Sequence, residues 1–315
     1  MKFSIFTVLT LAVTAIAGPI AKRAAAADAA PWGYATMNGG TTGGSGGTTV
    51  KVSTLAALKT AAKASGKSII IITSSITGTE SVKVASDKTI LGASSSVVLN
   101  GVGLIVKSAS NVIIRNLTIK KVLASSGDAL AVQKSTNVWI DHVDLSSDLS
   151  HDKDYYDGLL DLTHAADYVT ISYCFIHDHY KASLVGHSDS NGSEDKGHLR
   201  ITYGYNYFQN INSRGPSFRF GTGHLFNNYY NAVSDGINTR QGAQLLVENN
   251  VFVGSKKTLY STDAGYAVNT GNDFGGVAAT ASKGTFTKAP YSYTAVAATK
   301  VKAAVVGAAG ATLKF

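Results

Sequence analysis

Short runs in which apolar and polar residues alternate, each broken by a polar corner, recur along most of this chain. Asn111 to Ile119 reads Asn-Val-Ile-Ile-Arg-Asn-Leu-Thr-Ile, and Asn137 to Leu145 reads Asn-Val-Trp-Ile-Asp-His-Val-Asp-Leu. Tyr168 to Ile176, Leu199 to Tyr203, Gly223 to Tyr230 and Leu245 to Phe252 repeat the form. A period of two predicts strands, and one strand-turn-strand unit cannot bury its apolar face without neighbours. With Ile114, Ile140, Ile171, Ile201, Leu225 and Val247 as anchors, the steps are 26, 31, 30, 24 and 22 residues. Such steps leave no room for a helix in each and are too short for propeller blades of roughly 40 residues. The pattern predicts an all-β, single-domain, right-handed parallel β-helix with short capping helices.

Ile69 to Thr73 and Lys88 to Leu91 read as earlier strands, and Ser53 as the cap of a short helix carrying Leu55, Leu58, Ala61 and Ala62, stopped at Gly66. Lys300 to Ala309, rich in Ala and Val, predicts a helix that closes an end of the solenoid. Asn116, Asn227 and Asn249 suit inward corners where amides bond from coil to coil, and the two longest steps place extra loop where function usually sits.

Of 315 residues, 44% are hydrophobic and 15% charged, which allows a sizeable core and excludes wholesale disorder. Cys174 stands alone, so no internal disulfide or Cys-based zinc site is available, and its apolar repeat position predicts a packing role. Met1-Lys2, the apolar run to Ile16 and Ala15-Ile16-Ala17 match a secretory signal over 1–17. Lys22-Arg23 suggests a second cut that makes 18–23 a propeptide, leaving 24–315 as the mature secreted domain. The apolar run is shorter than the roughly 20 residues of a membrane span. Loss of residues 1–23 lowers the formal charge from +8 to +5, since Lys2, Lys22 and Arg23 go and no acid does. With no dense basic block, nucleic acid is a weak partner and an acidic polymer outside the cell a better one. No membrane partner is expected, and the chain is expected to be a monomer.

Candidate chemistry gathers in the long-step coils. Asp128, Asp157 and Asp161 on adjacent coils would make an oxygen-ligand site for a hard cation such as Ca²⁺. Any one of them alone would mark only a turn. Asp157 and Asp161 share a face if both lie on one strand. Arg214-Gly-Pro-Ser-Phe-Arg219 can place two forked cations on one groove, or be a plain surface turn. Lys181 matters through its company. Asp148, Asp152 and Asp154 read as a solvated loop or as the lining of a cleft, and His177, His179 and His187 lack ligand spacing. Asp141-His142, although tempting as a catalytic pair, reads as a structural corner. Asn116-Leu-Thr118 and Asn191-Gly-Ser193 fit the glycosylation sequon, the second in a more open loop.

Val138-Trp-Ile-Asp-His142, Asp157-Gly-Leu-Leu-Asp161 and Arg214-Gly-Pro-Ser-Phe-Arg219, in this order on solenoid coils, resemble the pectate lyases of polysaccharide lyase family 1, especially fungal ones, from about Thr42 to Phe252. The resemblance implies Asp128, Asp157 and Asp161 as calcium ligands, Lys181 and Arg219 as binders of substrate carboxylate, and Arg214 as catalytic base. It implies cleavage of α-1,4-polygalacturonate, the pectate of plant cell walls, by β-elimination. One position departs: where the family often has an acid two residues before Asp128, this chain has Ser126. A pectin lyase acting on methyl esters and a non-catalytic glycan-binding β-helix are the competing readings. The Asn-Thr-Asp, Asp-Asp and Gly-His-Gly pattern of polygalacturonases is not found.

Overall fold

The computed structural model describes residues 24–315; the expected signal and propeptide, 1–23, lie outside the described residues. The chain winds into a parallel β-solenoid of about 10 turns, and each ladder between successive strands is parallel. A 17-stranded sheet bends round a corner to form two faces, and an 8-stranded sheet forms the third. The bend is visible in Ser110–Lys120 and Thr136–Ser146, which run through left-handed residues, Asn116 at φ 49° and His142 at φ 51°.

Apolar residues stack in register along the interior: Ile70, Ile90, Ile114, Ile140, Ile171, Tyr203, Leu225 and Val247. This corrects one anchor, since Ile201 pairs with Val169 and Tyr203 takes the place beside Ile171. The bulkier Tyr203 fills the coil where Ser183 presents only a hydroxyl, and the two hydroxyls hydrogen-bond at 2.7 Å. One continuous core runs from Val52 to Ala267, and within it Phe208, Tyr230 and Phe252 stack nearly parallel, at 4.8 and 4.1 Å between ring centroids. Tyr230 carries a buried hydroxyl with no hydrogen-bond partner, a polar atom that burial penalises. Tyr230→Phe is therefore expected to raise unfolding stability by about 1 kcal/mol, read as a higher denaturation midpoint; a loss of stability would mean that the hydroxyl is satisfied in solution.

The corner amides differ from expectation in a definite way. Asn116 and Asn227 hold the C-terminal segment, accepting from Leu313 N and Val296 N at 2.8 Å each. The interior ladder is one residue later: Asn206, Asn228, Asn250 and Asn272 bond in sequence at 2.9, 2.9 and 3.0 Å. A left-handed corner residue leaves its side chain to the flank, and the next residue turns in. Cys174, buried as expected, precedes this ladder and donates its N–H to Asn206 Oδ1.

The first helix is Leu55–Lys63, capped by Thr54 rather than Ser53: Thr54 Oγ1 accepts from Ala57 N at 3.2 Å. It buries Leu58 and Ala62 against the first coils. The last helix, Ala298–Val305, does not close an end. It packs Val301 and Val305 on the flank formed by Tyr205, Phe226, Tyr229 and Val251, and the cluster buries all six side chains.

Candidate active site

The residues singled out by sequence meet where successive coils enter the 8-stranded sheet. Asp128 precedes Leu130–Gln133, Asp157 precedes Leu160–Thr163, Lys181 ends Phe175–Lys181, and Arg214 precedes Ser217–Arg219. Backbone bonds hold these segments side by side: Ala129 N to Gly158 O at 3.0 Å, Leu159 N to Lys181 O at 3.2 Å, Ser183 N to Arg214 O at 2.9 Å. Asp157 and Asp161 do not share a strand, since the strand begins at Leu160. Their four-residue spacing instead straddles Gly158, at the bend that leads into it.

Gly158 is the wedge of the site. A Cβ at this position would lie 2.5 Å from Asp161 Oδ1 and 2.8 Å from Asp128 Oδ1, so the two carboxylates flank one point and only hydrogen fits between them. Asp128 Oδ1 accepts from Gly158 N at 2.9 Å, and Asp161 Oδ1 from Leu184 N at 3.0 Å. Those two bonds do not offset confinement. Burial first, and the neighbouring Asp157 second, push the Asp128 carboxyl up to about 6. Asp161 is raised well above the usual carboxylate range by burial and then by Asp128, against the opposing pull of Arg214. Neither carboxylate has a cationic side chain at contact distance among the described residues.

Asp157 is more open, accepting from Lys181 Nζ at 3.1 Å, while Asp154 takes a longer bond from the same amine at 3.4 Å. Among the described residues no three His, Cys, Asp or Glu side chains are gathered closely enough to hold a metal ion as they stand. Oxygen donors on two adjacent coils are nonetheless within range of one another's charge. His179 supports the loop from below. Its Nε2 must carry the proton, because it bonds the Asp157 carbonyl oxygen at 2.6 Å, so Nδ1 accepts from Ser147 Oγ. Burial above all holds this ring down to about 4, keeping it neutral.

Arg214 stands at a left-handed corner, φ 64°, half-buried, and its guanidinium has no hydrogen bond or ion pair among the described residues. It acts on Asp128 and Asp161 through charge alone. Of the three assigned cations it is the uncommitted one. Arg219 lies at the far end of Ser217–Arg219 and is clasped instead by Asp189 at 2.5 Å. The structure thus brings together Asp128, Asp157, Asp161, Lys181 and Arg214, and places Arg219 further along the same outer sheet.

Gly158, His179, Asp154 and Asp189 were not assigned from sequence. Gly158 had a readable signal, a glycine between two acids; the others depend on contacts between neighbouring coils. The Asp141-His142 corner keeps its structural reading: Asp141 binds Arg115 at 2.7 Å and Ser172, and His142 stacks on Tyr173, beside a cavity of about 390 Å³. Of the two sequons, Asn116 is fully buried, and Asn191 is half-buried with its amide on Glu194 and Asp195.

A family model described as pectate lyase matches residues 7–314. "Probable pectate lyase A" of Aspergillus fumigatus is 62% identical over 305 residues, covering 96% of this chain and 94% of the relative. "Pectate lyase A" of Aspergillus niger is 59% identical over 296 residues, covering 94% and 91%. Among solved structures, a pectate lyase from Bacillus sp. N165 in complex with trigalacturonate superposes with a TM-score of 0.81 at 32% identity, covering 89% of this chain and 98% of that one.

Proposed function

This chain belongs to the pectate lyase family and is a polysaccharide lyase, and from that premise we propose that it cleaves α-1,4-linked polygalacturonate by Ca²⁺-assisted β-elimination, releasing 4,5-unsaturated oligogalacturonides. Asp128, Asp157 and Asp161 are the calcium ligands in this reading, Lys181 and Arg219 hold substrate carboxylates, and Arg214 is the base. The observation that carries it is the pair of confined carboxylates on either side of Gly158, facing an uncommitted arginine.

The proton to be removed sits on C5, next to the carboxylate of the sugar, and is a poor acid. When bound, Ca²⁺ supplies charge withdrawal at that carboxylate. The donor set suits it: carboxylate oxygens only, with Asp161 buried, Asp128 half-buried and neither in an ion pair among the described residues. Lys181 orients the uronate, leaving Asp157 to do so and freeing that acid as a ligand. Ser126 does not replace the acid often found two residues before Asp128, because its hydroxyl, which donates to Thr79 O at 2.8 Å, brings no negative charge to the site. Calcium and substrate should therefore bind more tightly together than apart.

Arg214 must accept the C5 proton through its neutral form. The C5–H electron pair becomes the C4–C5 double bond, the C4–O4 bond breaks, and the departing oxygen takes a proton from solvent. Arginine side chains hold their proton beyond pH 12, so activity is expected to climb through the alkaline range rather than peak at acid pH.

Stability should report the confined acids. Asp128, raised to about 6, keeps in the folded chain a proton that an unfolded Asp releases near pH 4. Its contribution is fully present below about pH 4 and is lost as pH rises through about 6. In chelator, wild type should lose stability across that window relative to Asp128→Asn, and Ca²⁺ at neutral pH should restore it. Melting curves of both proteins at pH 4 and 7 check this, and parallel behaviour of the two would count against it.

No described helix is long and apolar enough to cross a membrane, and export fits the N-terminal pattern. The activity is tested with polygalacturonate and highly esterified pectin, with and without chelator, following ultraviolet absorbance of the unsaturated product. Absorbance from polygalacturonate alone, abolished by chelator, is the expected result; chelator-resistant product from the ester would identify a pectin lyase.

A further inference from the structure

The loop after Ser183–Val185 crosses the outer sheet and sets Asp189 over two arginines that are register partners on adjacent coils. Arg219 Nε reaches Asp189 Oδ1 at 2.5 Å, and Arg240 Nη2 reaches Oδ2 of the same carboxylate at 3.0 Å. Arg240 also touches Asp263 at 3.1 Å, and Arg219 Nη1 donates to Gly186 O at 3.3 Å. Both guanidinium groups are largely covered, whereas Asp189 is about half exposed, at 48%. Arg240 Nε is buried and has no acceptor among the described residues. Two arginines one coil apart, bridged by a single carboxylate and still one acceptor short, form a cradle for a planar anion.

We propose that Asp189 is an internal stand-in for a substrate carboxylate, which keeps Arg219 and Arg240 in register until a uronate displaces it, and so makes it a specificity-determining residue. This rests on the lyase reading for the identity of the uronate, but the cradle itself does not depend on turnover. A free carboxylate can exchange with Asp189 and offer its second oxygen to Arg240 Nε. A methyl ester carries no charge to exchange, so the clasp closes this position to esterified units. The exchange replaces one ion pair with another, and Asp189, half exposed, gives up contacts that are weak on its side.

The test is calorimetric binding of saturated trigalacturonate, in chelator, to wild type, Asp189→Asn, Asp189→Glu and the pair Asp189→Asn with Arg240→Gln. Removing the stand-in charge is expected to tighten binding about 2- to 10-fold. Glu, which still reaches the arginines, should return it towards wild type. The gain should shrink without Arg240 and be absent for methyl-esterified trigalacturonate. In turnover assays the Asn variant should show the change in KM rather than kcat. Unchanged or weaker binding by Asp189→Asn would overturn the proposal and leave Asp189 as a loop staple. Tighter binding in a protein that forms no unsaturated product would keep the cradle and remove the lyase reading; product formation with unchanged binding does the reverse.

Discussion

Arg214→Lys is expected to lower kcat on polygalacturonate by about 10²–10⁴-fold, the range a positioned base supplies, with a much smaller change in KM. The reason lies in what Arg214 does not do. Lys181 is engaged by Asp157 and Asp154, and Arg219 by Asp189, whereas the Arg214 guanidinium has no partner to lose. Substitution should therefore leave the solenoid intact, which unchanged circular dichroism and melting would show. A lysine keeps the charge near Asp128 and Asp161 but is shorter and lacks the planar fork. A variant that keeps a tenth or more of wild-type kcat would remove Arg214 from the role of base.

Gly158→Ala is expected to be nearly as damaging for a different reason. The backbone there is not left-handed, so alanine brings no conformational strain. Its methyl group would meet Asp161 Oδ1 and Asp128 Oδ1 at 2.5 and 2.8 Å, distances that must open to ordinary contact. The carboxylates would be driven apart, and affinity for Ca²⁺ should fall by about tenfold or more, since ligand distances tolerate only a few tenths of an ångström. Excess Ca²⁺ should restore part of the activity of Gly158→Ala but none of that of Arg214→Lys. Equal rescue of both would show that Gly158 does not act through the acids.

Much of the fold was legible because its dominant force is periodic. Apolar residues at every second position, repeated at near-constant steps, can be buried only by stacking, and the core from Val52 to Ala267 follows that rule. The misplaced anchor at Ile201 came from a coil where Tyr203 takes the interior place, so that chemical likeness picked the wrong residue by two. The ladder was missed by one residue at Asn227 and Asn249, because left-handed corners reverse which neighbour turns inward. The expected place of the last helix at an end differs from its place on the flank because sequence does not reveal which aromatic side chains gather there.

In the site, the acids, Lys181 and Arg214 were legible through their motifs and do converge. Arg219 was legible as an arginine on the right sheet, but not as one held by Asp189, thirty residues away on another loop. His179 illustrates the same limit: its contact with the Asp157 carbonyl exists only after one coil has stacked on the next.

The most direct measurement is a crystal structure of Arg214→Lys grown with Ca²⁺ and a saturated oligogalacturonide, with the ion located by anomalous scattering. One Ca²⁺ should lie about 2.3–2.6 Å from carboxylate oxygens of Asp128, Asp157 and Asp161, bridging to a uronate whose C5 faces residue 214, with Lys181 turned from Asp157 to the sugar. An ion bound away from these three acids, or a sugar lying on another face of the solenoid, would contradict it.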